Sequence, residues 1–250
     1  MKKRSSAWVV NHGIWHLSLF GRVNLAPVPS NIQTALDIGC GTGSWVIDFA
    51  KAHPDCQVTG ADLSSIQPPS PPPNVNFVVQ DMTTAWTCPH RLSYIHSRTI
   101  TVAIKTWPAL VTECWRSLKP GGWVEFQEYH LPFTSNDDSL KHGPALQLWN
   151  ESVIAAAGQI GTNMDAMSSM QPLLEEQGFT SLARIATKWP MAPWAKGERE
   201  KNFGLLAEMD VGDATEGFGL RLSSGGAKKR SGSPSGSDVV WAQKPHDVVD

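Results

Sequence analysis

The sequence has few cysteines and lacks both long apolar runs and an excess of one charge. Its four cysteines are scattered, without any C-x-x-C pair, which argues against a structural zinc site and against a disulfide framework. We therefore expect no metal site and a reducing compartment. No stretch approaches about 20 uninterrupted apolar residues, so we predict no transmembrane helix. The 21 basic and 23 acidic residues nearly balance, which argues against a nucleic-acid or anionic-membrane partner.

The N-terminal segment is predicted to be a helix followed by a connector, over residues 1–30. Apolar and polar residues alternate there at a loosely helical period. The basic start at residues 1–4 could open a signal peptide, but Asn11, His12 and His16 interrupt the apolar core that such a peptide needs. We interpret His12 and His16 as partly buried helix residues, with a role in an acceptor site as the alternative.

A glycine-rich turn follows the first predicted strand. Residues 34–43 read Thr-Ala-Leu-Asp-Ile-Gly-Cys-Gly-Thr-Gly, and apolar residues recur at helical spacing from Ser44 onward. Glycines at positions 39, 41 and 43 remove side chains from one side of the turn, so a ligand could lie against bare backbone. This pattern is typical of the strand, turn and helix of a nucleotide-binding α/β unit.

Acidic residues end the next two predicted strands. The second strand, residues 57–61, ends in Asp62, about 20 residues after the glycines, where a carboxylate can hold the hydroxyl groups of a ribose. The third strand, residues 75–79, is followed by Asp81. Because parallel strands end at one edge of a sheet, the glycine turn, Asp62 and Asp81 predict a cofactor cleft there.

The spacing of the glycines indicates which cofactor the cleft would hold. A dinucleotide turn places its third glycine or alanine at the position that Ser44 occupies, whereas here that glycine comes one residue earlier, at Gly43. The form Asp-x-Gly-x-Gly-x-Gly resembles that of S-adenosylmethionine-dependent methyltransferases of the Rossmann-like class I. The run Leu-Lys-Pro-Gly-Gly-Trp at residues 118–123 strengthens the resemblance. A nicotinamide-dependent oxidoreductase is the alternative.

The rest of the chain continues the alternation of strands and helices. Prolines at residues 66–73 exclude a helix and predict a stiff loop, with a ligand for SH3-like domains as the alternative. Further strands are predicted at residues 92–96, 122–128 and 180–189, and helices at 106–118, 139–157 and 167–177. We divide the chain into a domain at 31–222, a flexible Ser/Gly-rich linker at 223–237 and a closing strand and tail at 238–250.

More specific motifs resemble those of the fungal LaeA-like methyltransferases. They are Asn-Leu-Ala-Pro at residues 24–27, Asp-Leu-Ser-Ser-Ile-Gln-Pro at 62–68, Ile-His-Ser-Arg at 95–98 and Lys-Trp-Pro-Met-Ala-Pro-Trp at 188–194. The resemblance implies an α/β fold with a mostly parallel sheet, helices on both faces and an antiparallel C-terminal strand inserted between the fifth and sixth strands. The chain departs from the family in starting the fourth strand with Leu92-Ser93, where Phe-Asp is common, and in replacing the helices after Asn202 with the linker.

The resemblance also implies the site residues. S-adenosylmethionine would bind at a set of eight residues, which are Asp37, Gly39, Gly41, Gly43, Asp62, Leu63, Asp81 and Met82. For a hydroxyl acceptor, which needs a general base, the candidates are three residues expected at the tips of the fourth and fifth strands, His96, Glu128 and His130.

The function implied is methylation of a small-molecule acceptor in a fungal secondary-metabolite pathway. The alternative is a LaeA-like regulatory protein that keeps the cofactor fold for binding a protein partner. The expected location is the cytoplasm. The basic run at residues 228–230 leaves nuclear import or nucleic-acid contact as alternatives, although three charges in a solvated tail usually have neither role.

Overall fold

A computed structural model describes residues 2–84, 86, 91–135, 142–194, 196–217 and 234–248. Within these residues, seven strands form one sheet in the order β3-β2-β1-β4-β5-β7-β6. The strands are β1 (Thr34–Ile38), β2 (Gln57–Asp62), β3 (Val75–Val79), β4 (Leu92–Arg98), β5 (Leu118–His130), β6 (Thr180–Pro190) and β7 (Pro234–Gln243). Strands β1 to β5 pair in parallel, and β7 is antiparallel to both β5 and β6. The predicted Rossmann-like sheet with an antiparallel closing strand is confirmed.

Helices cover both faces of the sheet. They are α1 (Lys2–Ser18), α2 (Ser44–Ala52), α3 (Trp107–Ser117), α4 (Pro144–Gln159), α5 (Met170–Gln177) and α6 (Glu198–Gly217). Successive residues of a strand point to opposite faces. Accordingly, Leu36 of β1 packs in a core with α3 and α5, whereas its neighbour Ala35 packs in a core with α2. In the described part of the chain, no helix is long and apolar enough to cross a membrane.

Helix α6 contradicts the expectation that a linker replaces the helices after Asn202. The helix continues to Gly217, with Phe203 and Ala207 buried against Trp15 of α1 and Trp189 of β6. Its own sequence carries little helical periodicity, so packing against α1 and β6 stabilises it rather than local propensity.

Strand β7 lies between β5 and β6, as predicted, but it is longer than the apolar run that predicted it. It begins at Pro234, so residues 234–237, which the sequence assigned to the linker, are strand residues. Ser237 pairs with Tyr129 on one side and Thr187 on the other, which extends the ladder beyond the apolar residues. The remainder of the predicted linker, residues 223–233, lies outside the described residues.

Candidate functional site

The glycine turn between β1 and α2 has a left-handed backbone conformation. Gly39, Gly41 and Gly43 have φ angles of 70°, 53° and 77°, which residues with side chains rarely adopt. A Cβ at Gly39 would lie 2.5 Å from Cγ2 of Ile100, and one at Gly43 would lie 2.4 Å from Cζ of Phe77. The two outer glycines therefore face other side chains of the protein, which differs from the predicted open approach for a ligand.

Asp62 and Gln67 hold the loop after β2 against the glycine turn. The Asp62 carboxylate accepts hydrogen bonds from the amides of Gly41 and Ser64, both at 2.8 Å. The Gln67 side-chain amide donates to the carbonyl oxygens of the same two residues, at 2.7 and 2.9 Å. A carboxylate has about four acceptor positions. Asp62 is therefore oriented by the backbone and keeps the capacity to accept hydrogen bonds from a ligand.

Asp81 and Met82 follow β3 at the same edge of the sheet. The Asp81 side chain is partly exposed and accepts hydrogen bonds from the hydroxyl and the amide of Thr83, which lower its pKa. The Met82 side chain is instead buried in the core that α3 and α5 share, and its carbonyl oxygen accepts a hydrogen bond from Trp86. Of these two predicted cofactor residues, only Asp81 presents its side chain to solvent.

Exposed apolar side chains lie near Asp62 and Asp81 in the chain, and a groove begins at Met82, the residue after Asp81. Leu63 is 68% exposed and Val79 is 65% exposed, although both are large apolar residues. A groove of about 600 Å³ opens between residues 82–84 and residues 103–113. Exposed apolar surface beside fixed carboxylates suits a ligand that has both a flat apolar part and hydroxyl groups.

The side chains of Asp37 and His96 lie side by side in the sheet on the face that α2 covers. Asp37 is 3% exposed, and its Oδ1 is 2.7 Å from Nδ1 of His96. The His96 ring is fully buried and stacks on Trp45 at 3.8 Å between ring centroids, with an interplanar angle of 3°. Burial raises the pKa of Asp37 well above its usual value and lowers the pKa of His96 well below its own.

Arg98 is the cation nearest this pair on the same face. Its Nε donates to Oε1 of Gln127 at 2.7 Å, and its Nη1 is 3.2 Å from Nδ1 of His12 in α1. The other ring nitrogen of His12 is 3.0 Å from Oδ2 of Asp48 in α2. The guanidinium also lies 5.4 Å from the ring centroid of Trp15. Burial lowers the pKa of Arg98 to about 10, so the side chain keeps its charge at neutral pH.

Helix α1 closes a narrow cleft over these residues. The cleft has a volume of about 40 Å³, enough for a few water molecules. Its lining comes from α1, the glycine turn, the start of α2 and the ends of β1 and β4, namely Asn11, His12, Asp37, Gly39, Cys40, Thr42, Ser44, Trp45 and Arg98. The buried carboxyl group of Asp37 and the partly buried guanidinium of Arg98 therefore share one cleft with the glycine turn.

The structure does not place the predicted catalytic residues at open strand tips. His96 lies inside the sheet, because it pairs with Asp37 of β1 and Glu125 of β5 before either strand ends. Glu128 is buried and accepts hydrogen bonds from the amides of Ile100 and Thr101 and from the Thr101 hydroxyl. It therefore anchors the turn after β4. His130 is the last residue of β5, and its role as a general base stays a prediction.

Glu128→Gln is expected to change how the free energy of unfolding depends on pH, because glutamine resembles the protonated carboxyl group in shape but cannot ionise. Burial raises the pKa of Glu128 to about 7. Protonation of Glu128 therefore favours the folded state at low pH, and this contribution is lost as the pH rises from about 4.3 to about 7. Urea unfolding across that range should show the free energy of unfolding of the parent fall by a few kcal/mol relative to that of the variant. A difference that is constant with pH would contradict this account.

Sequence reasoning missed the part that Arg98, His12 and Asn11 play in the cleft. His12 is partly buried, as expected, but it also lines the cleft, whereas His16 is exposed. The side-chain amide of Asn11 donates to the hydroxyl of Tyr129. The only available signal was the presence of polar residues in an otherwise apolar helical pattern, and that signal does not identify their partners.

Comparison with known proteins places the chain among methyltransferases. A family model described as a methyltransferase domain matches residues 19–183. The methyltransferase pytC of Aspergillus terreus is 36% identical over 212 residues, which cover 84% of this chain and 65% of pytC. The secondary metabolism regulator laeA of Aspergillus fumigatus is 31% identical over 199 residues, which cover 78% of this chain and 52% of that protein. The chain thus spans between half and two thirds of the length of these relatives.

A solved structure has the same fold. Phosphoethanolamine N-methyltransferase 2 of Haemonchus contortus, in complex with S-adenosyl-L-methionine, superposes with a TM-score of 0.57 at 20% sequence identity. The match covers 95% of this chain and 53% of that one. At this identity the likeness concerns the fold.

Proposed function

The chain belongs to the methyltransferase-domain family, within its fungal LaeA-like members, and we propose that it binds S-adenosylmethionine along the glycine turn, from the cleft under α1 to Asp62 and Asp81, and methylates a small molecule. The observation that carries the proposal is the glycine turn, which lines the cleft with Asp37 and Arg98 and donates the Gly41 amide to the Asp62 carboxylate. Both of these relatives are longer than this chain, so the methyltransferase activity of this chain is itself proposed.

The residues at the sheet edge fit the adenosine part of this cofactor. The Asp62 carboxylate is oriented by two backbone amides and has acceptor positions left for the two hydroxyl groups of the ribose. Leu63 and Val79 offer exposed apolar surface for the adenine ring. Asp81 is partly exposed and ionised at neutral pH, because its pKa is lowered, and it would accept a hydrogen bond from the adenine amino group.

The residues under α1 fit the amino acid part of the cofactor. That part carries an ammonium and a carboxylate on neighbouring carbon atoms, and the cleft carries Asp37 and Arg98. Asp37 would receive the ammonium and Arg98 the carboxylate, through charge-assisted hydrogen bonds. His12, which is bound to both Arg98 and Asp48, would hold the Arg98 guanidinium in position.

The chemistry that the bound cofactor supplies is a methyl group on a positively charged sulfur, which is a good leaving group. The contribution of the protein is to align the acceptor and to exclude water, so a general base is optional. Helix α1 covers the cleft and limits access of water to it. His96 and Glu128 are buried and bound to other protein groups, so neither is proposed as a base. His130, at the end of β5, remains the candidate general base for the case in which the acceptor is a hydroxyl group.

We expect Asp62→Ala to weaken the binding of S-adenosylhomocysteine by a few kcal/mol, because hydrogen bonds from a ligand to a charged group are lost. Isothermal titration calorimetry with S-adenosylmethionine, S-adenosylhomocysteine and NAD tests this. Asp55→Ala is the matched control, since Asp55 is exposed just before the opposite end of β2. Binding of NAD without binding of either sulfur cofactor would contradict the proposal and favour an oxidoreductase.

The second candidate function is regulation of secondary metabolism through a protein partner or a protein acceptor. It is favoured by the similarity to laeA, which carries the name of a regulator. Two assays separate the functions: transfer of a labelled methyl group to a panel of fungal hydroxylated metabolites, and transfer of that group to fungal nuclear proteins. Labelling of metabolites alone supports the first function. Labelling of proteins alone, or cofactor binding without any transfer, supports the second.

A further inference from the structure

The His96 side chain is held in a single position by its surroundings. The ring is fully buried and lies flat against Trp45, whose indole nitrogen donates to the carbonyl oxygen of Val23 at 2.7 Å. The backbone of His96 is fixed between two strands, because it pairs with Asp37 on one side and Glu125 on the other. Its Nδ1 therefore meets Oδ1 of Asp37 at a fixed point, 2.7 Å away.

Asp37 is the group that this contact orients. It lies one residue before the end of β1 and lines the cleft next to Gly39. Among the described residues, the side-chain hydrogen bond of Asp37 is the one that joins its Oδ1 to Nδ1 of His96. A short carboxylate with a single fixed partner can still rotate about its terminal bond when that partner is lost.

We propose that His96 is a positioning residue that holds the Asp37 carboxylate in the orientation that receives the ammonium group of the cofactor. This inference rests on the function proposed above. A neutral hydrogen-bond donor is better suited to orienting Asp37 than a lysine or arginine would be, because it brings no positive charge. Burial keeps the imidazole uncharged, so His96 orients Asp37 without adding a positive charge beside it. Burial also raises the pKa of Asp37, so a cation that enters the cleft would stabilise the ionised form of this carboxyl group.

Two variants of His96 separate the position of the donor from the mere presence of a polar side chain. In His96→Asn, the side-chain nitrogen takes nearly the place of Nδ1 and can still donate to Asp37. In His96→Gln, the nitrogen lies one bond further out, so the donor is misplaced. We expect His96→Gln to weaken the binding of S-adenosylhomocysteine about 10- to 100-fold, and His96→Asn to retain it within about threefold.

The matched ligand is 5′-methylthioadenosine, which has the adenosine and the sulfur but lacks the amino acid portion. Calorimetry should show that it binds parent, His96→Asn and His96→Gln with equal affinity, because it has no ammonium for Asp37 to receive. Asp37→Asn should weaken S-adenosylhomocysteine as His96→Gln does, and the double variant should be no weaker than Asp37→Asn alone, because both changes remove one interaction.

Each other outcome overturns the inference. Equal losses for both ligands in His96→Gln would mean that His96 supports the whole cleft rather than Asp37. Unchanged binding of S-adenosylhomocysteine in His96→Gln would mean that Asp37 needs no positioning, and additive losses in the double variant would mean that the two residues act separately. A parent protein that binds neither ligand would contradict the proposed function itself, so the two failures are distinguishable.

Discussion

Ending the chain at residue 233, which removes strand β7, is expected to abolish cooperative thermal unfolding. Strand β7 is hydrogen-bonded to β5 along one side and to β6 along the other. Val239, Val240 and Ala242 are fully buried. Each buried valine contributes about 1.5 to 3 kcal/mol, and a typical domain has a net stability of about 5 to 15 kcal/mol. The shortened chain would also expose the edges of both β5 and β6, which favours aggregation.

Circular dichroism on heating and size-exclusion chromatography measure this result. A matched pair of point variants keeps the test informative if the shortened chain cannot be purified. Val240→Asp places a charge in the core and should remove most of the stability. Ile185→Asp changes a residue of β6 that is 43% exposed, so it should alter stability far less. If the shortened chain melts at the temperature of the parent, β7 does not stabilise the fold.

Gly43→Val is expected to destroy both the glycine turn and the cofactor site. Gly43 precedes α2 with a φ of 77°, where a β-branched residue is strongly strained. Its new side chain would also displace the ring of Phe77. Backbone strain of about 1 to 2 kcal/mol and overpacking of about 1 to 3 kcal/mol together predict a loss of about 2 to 5 kcal/mol. S-adenosylhomocysteine should no longer bind.

Gly161→Val separates the two causes. Gly161 has nearly the same φ, 76°, but nothing lies within 4 Å of the place where its Cβ would be. The stability of this variant should fall only by the cost of the backbone strain, and the variant should bind S-adenosylhomocysteine as the parent does. Adding Phe77→Ala to Gly43→Val should recover part of the stability if the clash contributes. Equal effects of the two valine variants on stability would show that the contact with Phe77 costs nothing.

The apolar periodicity of the sequence was enough to predict most strands and helices. Strand β1, helix α2 and strand β2 lie where the alternation of apolar residues and the glycines placed them. The closing strand β7 was predicted from four apolar residues after a polar tract together with the resemblance to the LaeA-like family, which supplied its place in the sheet. Such signals are local, because burial on one face repeats at the period of the element itself. Helix α6 had no comparable signal, since its stability comes from packing on α1 and β6.

The partners of the polar residues were decided only by the tertiary structure. His12 and Arg98 are 86 positions apart, and their contact depends on where α1 crosses the end of β4. His96 looked like a strand tip because it precedes two polar residues, yet the register of β4 against β1 and β5 places it inside the sheet, beside Asp37. A shift of one residue in that register would turn its side chain to the opposite face. The role of a polar residue in a strand therefore depends on long-range pairing, which a local sequence pattern does not contain.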